Sequence, residues 1–280
     1  MSTVARSRRL RTDLLLHLFL ILTALIVLLP FLWIAAAAFK RQITLLMGKV
    51  LFEPVTLNFQ EVLFGRTSTY SRNFLNSVIV ASTSTALAMA MGFLAGYSLF
   101  RMRWPSWIIT VFQLWAMVFN LVPPVALAGA WYELFRNLGF TNGMVSLILA
   151  HTTLHLPMTL WLLSSFLRDV PRELEEAAQV DGAGFLVMLW HVVVPVVLPG
   201  IVATAILVFI FSWNEFPVAL ALTNNQTATV PVAIAKFAQQ NEIKYTQMAA
   251  ASVLSAIPAL LALIFGQRFI VKGLTAGAVK

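Results

Sequence analysis

The chain has 280 residues, of which 60% are hydrophobic and 11% charged, with a mean hydropathy of +0.85 and a formal net charge of +8. Soluble domains carry about 25% charged residues, so this composition excludes a water-soluble or disordered chain and makes lipid the main solvent. Cysteine is absent, which excludes disulfides, thiolate zinc sites and thiol nucleophiles and leaves the redox compartment open.

A membrane helix needs about 20 consecutive apolar residues. The first candidate span, 14–39, follows Arg6, Arg8, Arg9 and Arg11 and contains no charge apart from His17. The alanines at 35–38 resemble a signal-peptidase site, but a signal core is only about 7–15 residues, so this stretch reads as a retained span. A loop over 40–72 follows. Uncharged spans are then expected at 73–100 and 104–132, and a fourth at 137–167, which contains only His151 and His155. The fifth, 192–222, stays uncharged until Glu215, and the last covers 245–267. Backbone groups in lipid must be satisfied within their own element, so each span is predicted to be an α-helix. Two-residue alternation is missing, which argues against a β-barrel. Pro123-Pro124 and Pro157 should kink the third and fourth spans. Gly92 and Gly96 stand one turn apart, a small-residue pair that lets another helix approach closely.

Six spans put both termini on one side. That side carries 11 basic residues against 8 on the other, and the Arg cluster before the first span adds to the bias. By the positive-inside rule both termini are cytoplasmic. Elsewhere the basic residues lie mainly between apolar stretches, where they set topology and meet anionic headgroups rather than nucleic acid. The expected organisation is a cytoplasmic segment at 1–13, a transmembrane domain at 14–267 and a cytoplasmic tail at 268–280.

The loop over 168–195 departs from this pattern. Seven charged residues fall between Arg168 and Asp181, with a net charge of −3. Pro171 suits the first turn of a helix, and Asp169, Glu173, Glu175 and Glu176 complement its dipole there. Ala177 and Ala178 propagate the helix, and Asp181-Gly182 stops it, since glycine accepts the left-handed conformation of a helix end. A short greasy helix from about 183 to 191 follows, and Pro195 and Pro199 mark the start of the next span. An acidic knob does not seek anionic lipid, so a protein partner with basic residues fits it better.

The residues here resemble a known family. Glu176-Ala177-Ala178, three residues, Gly182, nine residues and then Val192-Val193-Val194-Pro195 is similar to the EAA loop of ABC importer permeases, with Val192 and Val194 replacing Ile and Leu. Asn76-Ser77, Tyr97-Ser98-Leu99-Phe100-Arg101 and Trp213-Asn214-Glu215-Phe216 resemble the carbohydrate branch. Gln267-Arg268 and the run from Gly273 to Lys280 resemble the smaller, MalG-like permease of maltose-type importers.

The resemblance implies an all-α integral membrane fold, six transmembrane helices with a cytoplasmic coupling helix, as in type I ABC importer permeases. It implies that Glu175, Glu176, Ala177, Ala178, Asp181 and Gly182 couple to an ATPase, and that a tail including Gln267, Gly273, Leu274 and Thr275 reaches the ATPase dimer. The implied partners are a second permease subunit in a heterodimer, an ATPase dimer, an extracytoplasmic solute-binding protein and the bilayer of a bacterial inner membrane. The implied cargo is a sugar or sugar-derived solute. No G-x-x-x-x-G-K-[ST] occurs, since Gly48-Lys49-Val50 lacks both the hydroxyl and the upstream glycine. This chain is therefore expected to bind no cofactor and to catalyse nothing, ATP and Mg being held by the partner.

Glu215 is the one acid placed within a span, at roughly 30 Å from Pro195 along a helix and so close to the outer interface. Two readings fit it: an interfacial glutamate beside an anchoring Trp213, and a lining of the translocation path in which Trp213 and Asn214 offer an aromatic face and a hydrogen bond to a sugar. The resemblance favours the second. His151 and His155 share one helix face, but no third ligand is near, so interhelical hydrogen bonding is expected and no metal. An ion-coupled secondary transporter of small solutes is the competing function. It would want a midplane charge and broken helices in two related halves.

Overall fold

A computed structural model describes residues 3–140, 143–238 and 243–276, with side-chain environments between 13 and 269. The described residues fold into helices and one isolated bridge, Ala238 with Ile243. In order they are α1 (Thr3–Ala38), α2 (Gln42–Leu46), α3 (Leu57–Phe64), α4 (Tyr70–Arg101), α5 (Ser106–Phe119), α6 (Pro124–Asn137) and α7 (Met144–Arg168). Next come α8 (Arg172–Val180), α9 (Phe185–Met188), a π-helical turn at Leu189–Val193, α10 (Val194–Trp213), α11 (Pro217–Leu222), α12 (Val230–Ala235) and α13 (Tyr245–Ala276).

Among the described residues, five helical stretches are long and apolar enough to cross a membrane: Asp13–Ala38, Tyr70–Arg101, Met144–Arg168, Phe185–Trp213 and Tyr245–Phe269. The third expected span, 104–132, is not one helix. It divides into α5 and α6, which meet at 102°, a far sharper change than a kink. Pro123 caps α6 in an extended conformation and Pro124 occupies its first turn. The tandem removes two backbone donors and forces extended backbone on the residue before each proline, so the α-helical ladder cannot run through. The Asn120 amide donates to the Ala116 carbonyl at 2.7 Å and closes α5. The fourth span consequently starts at Met144 rather than at 137. Gly139, at φ 79°, ends α6 with paired bonds from the N–H groups of Gly139 and Phe140 to the carbonyls of Arg136 and Phe135, a Schellman closure. At the other end of the chain the helix does not stop at 267 but continues through Ala276. Residues 277–280 lie outside the described residues.

Two compact units form. The first comprises the chain up to Ser68 with Ile234–Leu254. The membrane-spanning stretch of α1 is apolar all round, and its most apolar window is wholly uncovered by the rest of the chain, as a lipid-facing helix should be. The expected loop at 40–72 is folded around the end of α1. Lys40 is buried, with its ammonium 4.8 Å from the Trp33 ring centre, 4.7 Å from that of Phe52, and donating to the Lys49 carbonyl at 2.8 Å. The Asn58 amide donates to the carbonyls of Ala38 and Lys40 at 2.7 and 2.8 Å, satisfying the orphan acceptors of the helix end.

The second unit, Thr69–Ala233 with Ser255 onward, is built on α4 against α7. Both glycines of the small-residue pair face α7. A Cβ on Gly92 would stand 2.7 Å from Thr159 Cγ2, and one on Gly96 would stand 3.2 Å from Leu167 Cδ1. Thr159 is fully buried and its hydroxyl donates to the His155 carbonyl, so it has nowhere to retreat. Replacing Gly92 by Leu should cost about 1–3 kcal/mol or more by overpacking. The measurement is the thermal unfolding midpoint in detergent, and an unchanged midpoint would show that the helices are not held at this separation.

Candidate functional site

The charged loop forms a short helix whose two faces differ. Pro171 sits one place earlier than expected, at the N-cap of α8 rather than in its first turn, with Glu173 and Glu175 following in the first turn. Asp181 closes the helix and Gly182 adopts φ 81°. The Gly182 N–H donates to the Gln179 carbonyl at 3.0 Å and the Ala183 N–H to the Ala178 carbonyl at 2.9 Å, so the stop is a Schellman motif as the glycine implied.

Beyond Gly184 the expected break before the fifth span does not occur. Phe185–Trp213 runs as one helical stretch. The turn at Leu189–Val193 is π-helical, directly ahead of Pro195. Pro195 has no N–H and its ring crowds the preceding turn, and a widened turn carries it without ending the helix.

Of the six residues expected to couple, Glu176, Ala177, Asp181 and Gly182 are exposed, whereas Glu175 and Ala178 are buried against the spans. Ala178 joins Tyr97, Leu167, Val170, Met188, Leu189, Val193 and Val197 in one apolar cluster. Glu175 points the same way. Its Oε1 lies 3.0 Å from Arg101 Nε, as an ion pair without hydrogen-bond alignment, and its Oε2 accepts from the Tyr97 hydroxyl at 2.9 Å. Arg101 Nη2 also donates to the carbonyls of Leu167 at 3.0 Å and Val170 at 2.5 Å, the acceptors at the end of α7. Glu175, one of the residues expected to couple, thus faces the spans rather than outward. The reading by residue type overlooked Arg101 and Tyr97 as its partners, although their four-residue spacing places both on one face of α4. Exposed on and after α8 are Glu173, Glu176 and Asp181 beside Leu174, Val180 and Leu186, with Arg172 and Gln179 among them, and the side chains of the three acids have no partner among the described residues.

The second expected cluster is equally divided. Trp213 is 1% exposed, its indole N–H donating to the Ser255 carbonyl at 3.0 Å and its ring stacked with Phe209. Glu215 is buried. Its two oxygens accept the N–H groups of Val218 and Ala219, each at 2.9 Å, across the break between α10 and α11. His151 Nε2 lies 3.3 Å from Glu215 Oε2, again without hydrogen-bond alignment, and His151 Nδ1 meets Ser212 Oγ at 2.8 Å. Ser84 Oγ is 3.0 Å from that same hydroxyl. So the interhelical bonding expected of His151 is present, whereas the buried Nε2 of His155 has no hydrogen-bond partner among the described residues. Neither Trp213 nor Glu215 offers a face to a solute in this arrangement, because both are buried, the Trp213 indole bound to Ser255 on α13 and the Glu215 carboxylate to the backbone of α11. Asn214 alone of the three is exposed, and its amide donates to Ile210.

Asn76 and Ser77 hold the segment that follows. The Asn76 amide donates to the carbonyls of Gln226 and Ala228 at 2.9 and 3.0 Å, and Ser77 Oγ accepts the Val230 N–H at 2.8 Å. In the tail, Gln267 is exposed on α13. Gly273, Leu274 and Thr275 lie on the same helix, and their side chains are outside the described residues.

Residues 88–275 match the family profile described as the binding-protein-dependent transport system inner membrane component. The chain is 35% identical to the trehalose/maltose transport system permease protein MalG of Thermococcus litoralis, over 93% of this chain and 94% of that protein. It is 36% identical to the trehalose transport system permease protein SugB of Mycobacterium tuberculosis, over 90% and 92%. Its fold matches a chain of a bacterial ABC transporter involved in the import of the acidic polysaccharide alginate. The TM-score is 0.76 at 20% identity, over 96% of this chain and 98% of that one.

Proposed function

Since the chain belongs to the family of binding-protein-dependent transport system inner membrane components, we propose that it is the permease subunit of an ATP-driven importer for a sugar or sugar derivative. The relatives support the cargo class: the names of those at 30–36% identity include trehalose and maltose, sulfoquinovosyl glycerol and diacetylchitobiose. In this reading the termini and α8 are cytoplasmic, and a binding protein delivers the solute on the other side. A second permease completes the pathway, and a pair of ATPase subunits holds ATP and Mg.

The observation that carries the reading is the exposed face of α8 with Glu173, Glu176 and Asp181, which has no partner among the described residues while the helix's other face is sealed against the spans. Glu176, Ala177, Asp181 and Gly182 are the residues that dock in the ATPase. Closure of the ATPase dimer moves α8 as a rigid piece, and the spans follow between inward-open and outward-open states. The direction is set because ATP binds one of those states better than the other. The tail from Gln267 to Lys280 reaches the same ATPase pair. Asn214, presented at the helix break that Trp213 and Glu215 hold, is the polar member of the solute path.

An ion-coupled mechanism would need a titratable group free to exchange its ion. Glu215, the buried acid at the break between α10 and α11, is occupied by two backbone donors and lies against His151. The test is to co-purify the chain with its companion subunits and measure ATP hydrolysis against a panel of sugars with the binding protein. Stimulation by a sugar-loaded binding protein is expected. Uptake by the purified chain alone, driven by a proton or sodium gradient, would overturn the proposal.

A further inference from the structure

We propose that Tyr97, Arg101 and Glu175 are positioning residues that transmit the motion of α8 to α4 and α7. The inference rests on α8 being the ATPase-docking element.

The covalent links of α8 are poorly suited to carry force. On one side it joins α7 through Asp169, Val170 and Pro171. On the other it passes through Gly182, at φ 81°, and Gly184, and a Cβ on either glycine would meet nothing within 4 Å. A lever held only by such peptides would rotate on its own hinge and leave the spans behind. The side chains supply the missing rigidity. Glu175 is held through both oxygens by α4, at 3.0 Å from Arg101 Nε and 2.9 Å from the Tyr97 hydroxyl. The same guanidinium is bound to the last carbonyls of α7 and its turn, at Leu167 and Val170. The paired side chains of Arg101 and Glu175 are only 7% and 11% exposed. One guanidinium thus joins the end of α4, the end of α7 and the inner face of α8.

The division of labour between adjacent acids follows from the helix period. Consecutive residues are displaced by about 100° around an α-helix, so Glu175 faces the spans while Glu176 faces away. A displacement imposed on Glu176 pulls on Arg101 through Glu175. From there it passes into α4 and, across the close contact at Gly92 and Gly96, into α7.

The experiment uses the assembled transporter in proteoliposomes and reads solute transported per ATP hydrolysed. Arg101→Ala and Glu175→Ala should co-purify with the ATPase and hydrolyse ATP but transport about tenfold less per ATP, within the usual range of coupling energies. Tyr97→Phe, which removes one hydroxyl, should lose about fivefold on the same scale. The chain has no native cysteine, so Arg101→Cys with Glu175→Cys can be bridged by a short reducible bis-thiosulfonate. Bridging should restore transport per ATP, and reductant should remove it again. A merely stabilising contact would raise yield on bridging without that reversible change.

Wild-type transport per ATP in both alanine variants would overturn the proposal, as would bridging that restores nothing. If the alanine variants fail to assemble, wild-type stoichiometry in Tyr97→Phe overturns it. Glu176→Lys, measured alongside, separates the two readings. Unimpaired transport in that variant defeats docking through α8 itself, whereas its loss beside intact alanine variants defeats the transmission role alone.

Discussion

Replacing Glu176 by Lys is expected to abolish solute uptake in reconstituted transporter while leaving this chain folded. Glu176 is exposed and has no partner among the described residues, whereas the contacts that hold α8 in place run through Glu175 and Ala178. The substitution therefore changes what the helix offers a partner and nothing of what anchors it. A basic cleft that accepts a carboxylate meets a like charge instead, and such a juxtaposition costs several kcal/mol. Uptake should fall by about a hundredfold or more, and ATP hydrolysis should lose its dependence on the binding protein. Gly182→Asp should act in the same direction for a different reason. The position has φ 81°, where an L-residue pays roughly 1–2 kcal/mol, and the turn that presents the docking face would shift to relieve it. Initial rates of labelled-sugar uptake decide the matter, and wild-type rates in either variant would remove the coupling role from this loop.

Replacing Glu215 by Ala is expected to destabilise the chain by about 2–6 kcal/mol, as leaving two buried backbone donors without an acceptor does. The N–H groups of Val218 and Ala219 lose acceptors now at 2.9 Å, and His151 Nε2 loses the carboxylate at 3.3 Å. Water has little access there, so each orphaned donor carries a desolvation cost of about 1–3 kcal/mol. Glu215→Gln keeps one carbonyl acceptor and should lie between the two. The yield of monodisperse protein in detergent and its unfolding midpoint are the measurements. Equal midpoints for wild type and Glu215→Ala would show that the break between α10 and α11 is held by packing alone.

The membrane-spanning class was legible because hydropathy is summed over about twenty residues and needs no knowledge of neighbours. Gly92 and Gly96 were legible as a close-approach surface for a similar reason, since small residues have little other use against lipid. The Asp181-Gly182 stop was readable because only a few residues accept a positive φ. Less was readable wherever two local rules competed. Pro195 looked like a boundary, yet the π-turn carried the helix past it. Pro123-Pro124 looked like a kink, yet the chain turned through 102°. Trp213 and Glu215 looked like lining residues, because an acid and an aromatic in a span are costly enough to suggest function. Two of their partners, Ser255 and His151, lie in segments whose approach no spacing rule predicts, whereas the α11 donors to Glu215 are only three and four residues further on.

The sequence by itself determined that this chain lives in a bilayer, that it carries an acidic helix closed by Gly182 within its most densely charged loop, and that no G-x-x-x-x-G-K-[ST] run occurs in it. Those are properties of composition and of short spacings along one strand of chain. Only the tertiary structure decided which of two adjacent glutamates turns outward. Glu175 and Glu176 have the same chemistry and the same propensity, and α8 is too short for hydrophobic periodicity to choose its inner face. The choice was made by Arg101 and Tyr97, more than seventy residues earlier in the chain, which α4 brings beside the end of α7.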